Sequence, residues 1–134
     1  MNKAGYLALI LSFLPLLAKA ALVIHINEPH STGQKTMIKL EMKNTFSQEI
    51  KAAKGTVFLM DASGKVIGQA SHWIIGGTKN KPPLAAEAKT SYYFVITTDK
   101  PFAKTQLLIN RVVLEDGKLA DATMDVIMKE ANNK

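Results

Sequence analysis

The stretch Ile38-Lys39-Leu40-Glu41-Met42-Lys43 decides the fold class of this 134-residue chain. Apolar side chains occupy every second position, and the positions between them are charged. A β-strand points successive side chains to opposite faces, so this pattern is typical of a strand with one face in a core and the other in water. An α-helix would require apolar residues three and four positions apart instead.

The same period of two recurs along the chain and predicts strands over 21–26, 53–60, 65–75, 90–97 and 106–114. Segments rich in Gly, Pro, Asp and Asn separate them. These segments predict turns over 61–64 and 115–118, a loop over 76–83, and a polar, turn-like stretch over 27–35. Residues 119–129 fit a last strand and a short helix equally well. Six to seven short strands with little helix predict an all-β fold, an antiparallel immunoglobulin-like β-sandwich.

The N-terminus has the organisation of a secretory signal peptide. Lys3 precedes an apolar run over 6–17, and Ala18-Lys19-Ala20 supplies the small residues that a signal peptidase reads. The apolar run is too short for a spanning helix, which needs about 20 apolar residues. The sequence therefore predicts a helical signal peptide over 1–20, one domain over 21–134, and no membrane insertion after cleavage. The expected location is the periplasm or the extracellular medium.

Composition narrows the classes of function further. The chain has no cysteine, so the sequence predicts that the protein has no disulfide framework and no lipid-anchored N-terminus. The predicted mature chain has 15 Lys and Arg residues against 11 Asp and Glu, a net charge of +4, and fourteen of the fifteen are lysines. Lysines spread along a chain indicate solvent-exposed faces, whereas nucleic-acid binding favours clustered arginines and aromatic residues. We therefore expect no nucleic-acid partner.

Several segments resemble the FxLYD-type domain, an immunoglobulin-like sandwich of exported bacterial and archaeal proteins. The resemblance covers residues 40–97. Val57, Leu59, Met60 and Asp61 stand at the four defining positions, of which Val57 and Met60 depart from the family pattern. Further matching positions are Asn44-Thr45, Ile50, Gly64-Lys65-Val66-Ile67, residues 84–87 and Phe94. The resemblance implies a sandwich in an extracytoplasmic setting, and it brings no catalytic residues.

Candidate metal ligands lie near the mature N-terminus. His25, Glu28 and His30 place two imidazoles and a carboxylate within six residues, and these groups are ligands for Cu²⁺ and Zn²⁺. The spacing matches no established metal motif, and Pro29 restricts the chain between the ligands. Two readings follow: a metal site, or polar surface residues that flank a turn.

The second candidate is the breaker-rich loop and the tryptophan before it. Loop residues next to an aromatic side chain form a common recognition surface, which nominates Gly76, Gly77, Thr78, Lys79, Asn80 and Trp73 as partner-binding residues. The only tryptophan of a sandwich more often packs between the sheets, so we expect Trp73 in the core. The alternative is a ligand surface that Trp73 shares with Tyr92 or Tyr93.

The sequence carries no signature of an enzyme. It has no Gly-x-Ser-x-Gly motif, no cysteine nucleophile, and no phosphate-binding loop that opens a helix. We therefore expect a small exported binding or accessory module of the cell envelope, without catalysis and without a cofactor. It would recognise a protein or envelope partner through the 76–83 loop or a sheet edge. The alternative is a periplasmic Cu or Zn protein that uses His25, Glu28 and His30.

Overall fold

A computed structural model describes residues 20–130 as two β-sheets packed face to face. The strands are β1 Leu22–Ile26, β2 His30–Thr32, β3 Lys35–Asn44, β4 Ile50–Met60, β5 Val66–Gly76, β6 Lys89–Thr97, β7 Lys104–Leu114 and β8 Val126–Glu130. The predicted all-β sandwich is confirmed, with eight strands rather than six or seven. The predicted signal peptide lies outside the described residues, apart from Ala20. Among residues 20–130, no helix is long and apolar enough to cross a membrane.

Sheet A is built around β3. β6 pairs with one edge of β3, while β1 and β2 follow one another along the other edge, and β8 pairs with β1. The β1–β8 pair is parallel and is the departure from a fully antiparallel arrangement. Sheet B has three antiparallel strands in the order β5-β4-β7.

The alternation in β3 has the predicted effect on burial. Ile38, Leu40 and Met42 are at most 2% exposed and face sheet B, while the charged residues between them face solvent. The core continues with apolar residues from both sheets, among them Leu22, Ile24, Ile50, Val57, Leu59, Phe94, Ile96, Ile109 and Val112. Burial of these side chains is the main term that holds the two sheets together.

Two segments differ from their sequence prediction. The polar stretch 27–35 contains strand β2, which forms a hairpin with β3 through a two-residue turn at Gly33 and Gln34. Three exposed polar residues show no alternation, so only the pairing with β3 reveals this strand. The open choice over 119–129 is settled as a turn followed by a strand that begins at Val126, so Met124 remains 63% exposed.

Candidate binding surfaces

The 76–83 loop is anchored at its base by two glycines. Gly76 and Gly77 have φ angles of 53° and 80°, a backbone region that L-residues with a side chain rarely adopt. A Cβ atom on Gly76 would overlap the carbonyl oxygen of Lys51, and one on Gly77 would overlap the ring of Trp73. Glycine at these two positions therefore permits close packing of the loop onto β4 and onto the Trp73 ring.

Lys81 fixes the other end of the loop. Its Nζ donates a 2.9 Å hydrogen bond to the carbonyl oxygen of Trp73 and lies 4.3 Å from the centre of the Tyr92 ring. The Gly76 amide donates to the carbonyl oxygen of Pro82 at 3.2 Å. The base of the loop is thus held in place, and the tip at 77–80 remains exposed to solvent.

Trp73 does not lie between the sheets, so the prediction of a core tryptophan was wrong. Its cross-strand partner is Lys54, on the outer face of sheet B, and the Lys54 Nζ lies 5.6 Å from the centre of the Trp73 ring. The side chain is half-buried against Gly77. Of the nominated residues, the structure brings Trp73 and Gly77 into contact, and the tip residues Thr78, Lys79 and Asn80 follow directly.

Neither Tyr92 nor Tyr93 shares a surface with the Trp73 ring. Tyr92 lies inside the edge of the sandwich, with its ring 5.2 Å from that of Phe94 and 6.2 Å from that of His72. Burial raises the pKa of the Tyr92 hydroxyl. Tyr93 faces the opposite way, on the outer face of sheet A, and is 51% exposed. The alternative of an aromatic surface shared by Trp73 and either tyrosine is therefore not formed.

The predicted metal ligands are not brought together. His25 pairs with Glu41 and His30 pairs with Met37, so the two histidines are four β3 positions apart, roughly 13 Å along the sheet. Glu28 lies between β1 and β2 and lines a separate hollow beside β7. Across residues 20–130, the structure has no group of three or more His, Cys, Asp or Glu residues that could hold a metal ion.

The edge of β7 is a feature that sequence reasoning missed. In an immunoglobulin constant domain the last strand joins the sheet that contains the strand before it. Here β8 pairs with β1 in sheet A instead, so within the described chain no strand covers the far edge of β7 from Lys104 to Arg111. The covering segment at 118–120 reaches only Val112 to Leu114.

A gap of about 260 Å³ opens between this edge of β7 and strand β8. Five of its nine lining residues are apolar, and two of these five, Ile38 and Val57, belong to the fully buried core. Lys104 and Glu130 are its charged residues. The lining is completed by Ile26, Thr105, Gln106, Leu107 and Met128. No local sequence signal marks this gap, because it results from the sheet that β8 joins.

The fold is shared with bacterial proteins of known structure. The chain is similar to a protein of Bordetella pertussis described as a candidate ApaA protein, with a TM-score of 0.58, 15% identity, and coverage of 78% of this chain and 88% of the other. It is also similar to IrmA of Escherichia coli, with a TM-score of 0.54, 11% identity, and coverage of 87% and 95%. At such identities the likeness concerns the fold. No protein-family model and no curated protein matches the sequence, and the FxLYD resemblance stays a prediction.

Proposed function

We propose that the protein is a small exported binding module of the cell envelope that recognises a protein partner by adding an extended segment of that partner to the open edge of β7. The observation that carries this proposal is the uncovered edge of β7 beside an apolar gap that reaches core residues. The module is non-catalytic in this proposal, in keeping with the absence of any nucleophile or phosphate-loop motif from the sequence.

The backbone of an edge strand supplies the affinity in this mode of binding. Backbone N–H and C=O groups that face outward from β7 can pair with an added strand through main-chain hydrogen bonds. Natural edge strands are usually blunted by charges, proline or a covering loop. Residues 105–110 of β7 read Thr-Gln-Leu-Leu-Ile-Asn, without a charge or a proline.

The gap between β7 and β8 supplies the specificity. An added strand points every second side chain toward the core, so its inward residues would enter the gap beside Leu107 and Met128. Apolar side chains fit these walls, and their burial contributes roughly 25 cal/mol per Å². We therefore expect a partner segment with apolar residues at alternate positions.

The tip of the 76–83 loop is the second candidate surface. Its exposed residues 77–80 stand on a base that is fixed by Lys81 and by packing on Trp73. A rigid base lowers the entropy lost on binding, which favours recognition by the tip. The β7 edge ranks first because it offers unpaired backbone groups together with an apolar gap.

The test uses the purified protein as bait in an envelope extract, followed by amide hydrogen exchange on the recovered complex. We expect slowed exchange at 104–111 when the partner is bound, because the outward N–H groups of β7 become hydrogen-bonded. Slowed exchange at 77–80 alone would show that the partner binds the tip of the 76–83 loop and not the edge of β7. Recovery of no partner above background would contradict the proposal.

A pair of methionine variants provides the matched control. Met128→Glu places a charge at the lip of the gap, on a side chain that is 42% exposed, and is expected to abolish capture of the partner. Met124→Glu makes the same change on a side chain that is 63% exposed and outside the gap, and should leave capture unchanged. Equal capture by both variants would exclude the gap as the site. A third variant with 78–80 replaced by Gly-Ser-Gly tests the loop.

Export is tested separately, by mass spectrometry of the protein recovered from the cell envelope. Cleavage after Ala20 predicts a mature chain that begins at Ala21, directly before β1. A full-length chain recovered from the cytoplasm would contradict export, without bearing on the β7 site.

A further inference from the structure

The outer face of sheet A concentrates positive charge. β3, β6 and β8 together direct five lysines and one carboxylate to this face: Lys35, Lys39, Lys43, Lys89, Lys129 and Glu41. We call this surface the basic face. The strand residues of this face carry a formal charge of +4, and Glu87 beside Lys43 lowers the charge of the surface to +3, against +4 for the whole predicted mature chain.

The basic face retains an unfavourable charge contact. Lys43 and Lys89 are directly opposite each other in the β3–β6 register, and like charges at such positions destabilise a sheet. Glu87 relieves this in part, with its Oε1 3.8 Å from the Lys43 Nζ, but both side chains are largely exposed and water screens the pair. An anionic partner would remove the remaining repulsion.

Apolar side chains are interspersed with these lysines. Tyr93 is 51% exposed, Val95 47% and Met37 40%, and all three lie on the basic face. Met37 is paired with Val95, and Tyr93 is paired with Lys39, whose Nζ lies 5.8 Å from the ring centre. Water solvates such side chains poorly, so a partner with both anionic and apolar parts fits this face better than a purely ionic one.

We infer that the basic face docks on a lipid bilayer surface that contains anionic phospholipid. Along β3, lysines recur about every 13 Å, at Lys35, Lys39 and Lys43. Lys89 on β6 and Lys129 on β8 extend this row to either side. Anionic headgroups attract such an array, while Tyr93 and Val95 reach the boundary between headgroups and acyl chains. The basic face has no arginine, the residue most suited to nucleic-acid phosphates.

The size of the effect follows from the number of lysines. Each lysine near an anionic leaflet strengthens binding roughly fivefold at physiological ionic strength. Replacement of three lysines with glutamine should therefore weaken binding on the order of 100-fold. Added salt should weaken the wild-type interaction as well, because it screens exposed charges over about 10 Å at 0.1 M.

The experiment measures co-sedimentation of the purified protein with phosphatidylcholine vesicles, with and without phosphatidylglycerol. All variants carry the same N-terminus, and thermal melting verifies that each one is folded. We expect binding to the phosphatidylglycerol vesicles alone. The triple variant Lys39→Gln, Lys43→Gln, Lys89→Gln should lose about 100-fold in affinity.

The matched control removes the same charge elsewhere. Lys65→Gln, Lys100→Gln, Lys118→Gln alters three exposed lysines in turns, outside the basic face. It should change affinity only a few-fold. Equal losses in the two triple variants would overturn the inference, because net charge alone would then explain binding. Absence of binding to phosphatidylglycerol vesicles, or binding to a soluble oligonucleotide instead, would also overturn it.

Discussion

Asn44 is the least exposed polar residue of the described chain and links β3 to the loop before β6. Its Nδ2 donates to the carbonyl oxygens of Gln48 and Leu84, both at 3.0 Å, and of Ala85 at 3.2 Å, while its Oδ1 accepts from the Phe46 amide at 2.8 Å. The side chain thus fixes two connections beside the end of β3, the one that contains Gln48 and the one in which Leu84 also forms a bridge with Ile50. This is a structural role for the asparagine of the FxLYD-like pattern.

We predict that Asn44→Ala lowers the free energy of unfolding by about 3 kcal/mol, because each buried polar group left without a partner costs about 1–3 kcal/mol. Urea denaturation measures the change. Asn80→Ala, in the exposed loop tip, is the control and should stay within about 0.5 kcal/mol of wild type. If Asn44→Ala loses no more stability than Asn80→Ala, water replaces the hydrogen bonds of the Asn44 side chain.

Asp61 governs the turn between β4 and β5 through its charge. Its Oδ1 accepts hydrogen bonds from the Ser63 hydroxyl at 2.6 Å and from the Ser63 and Lys65 amides at 2.9 and 3.0 Å. The bond from the Ser63 hydroxyl, followed by that from the Lys65 amide, lowers the pKa of this carboxyl group. The ionised form therefore favours the folded state.

We predict that Asp61→Asn is less stable than wild type at neutral pH and that this difference disappears in acid. A lowered folded-state pKa adds stability above the unfolded-state value of about 3.9, and that stability is lost as the pH falls through the folded-state pKa. Thermal melting between neutral pH and strong acid measures both proteins. A difference that persists unchanged in strong acid would assign the effect to turn geometry.

The separation of His25 from His30 leads to a prediction about metals. We expect titration of the protein with Cu²⁺ and Zn²⁺ to give only weak binding, because two single histidines on a sheet face cannot share an ion across roughly 13 Å. The His25→Ala, His30→Ala double variant should alter this weak binding little. Tight binding that the double variant abolishes would restore the metal-protein alternative.

At the scale of strands, a bulge in β5 explains why Trp73 faces outward, although the only tryptophan of a sandwich was expected in the core. β5 pairs with β4 through Ile75 and Ala53, then through Trp73 and Lys54, so Ile74 is an extra residue on β5. Strict alternation back from the inward-facing Ile75 would turn Trp73 toward the core. The bulge inverts the alternation and turns Trp73 outward. Alternation alone predicts strands well, but it cannot locate such an insertion.

We predict that Gly76→Ala lowers the free energy of unfolding by about 3 kcal/mol. The new Cβ would overlap the Lys51 carbonyl oxygen, and alanine would also be strained at a φ angle of 53°. Gly64→Ala is the matched control. Its φ angle is 89° and no atom lies within 4 Å of the added carbon, so it should cost only about 1 kcal/mol. Chemical denaturation of both variants measures the difference. Equal costs would mean that the loop base moves freely to admit a side chain.

The basic face is a second feature that alternation along single strands did not reveal. The spacing of Lys39 and Lys43 already places them on one face of the strand predicted over 38–43. Lys35, in the stretch predicted to be turn-like, lies on the same face because β3 begins there. Lys89 and Lys129 join them only because β6 and β8 pair on either side. Sequence reasoning therefore described these lysines as spread, although the folded sheet brings them together.

For the whole molecule, local patterns predicted the two-sheet architecture, and long-range pairing decided the rest. Alternation and turn residues are local properties, and they identified β3 to β7 with small errors at the ends. The choice of β8 to pair with β1 rather than β7 has no local signature, since either partner would bury Val126. The proposed binding edge depends on that choice, so it could not be predicted.

We predict that Val126→Ala lowers stability by about 2 kcal/mol, because Val126 is 8% exposed and packs in the core beside Leu22. Ile127→Ala, the control on the outer face, should cost less than about 1 kcal/mol. Urea denaturation measures both. A larger loss for Ile127 would mean that β8 packs by its other face.

The parallel pairing of β1 with β8 also sets the order in which the molecule can be completed. The two strands are separated by about a hundred residues, whereas β4 and β5 are joined by a short turn and can pair early. Sheet A is therefore complete only when β8, the last strand of the described residues, becomes available. When the chain emerges N-terminus first, from a ribosome or across a membrane, β1 has no second partner until β8 has emerged. Under the export proposed above, the fold would be completed only on the far side of the membrane.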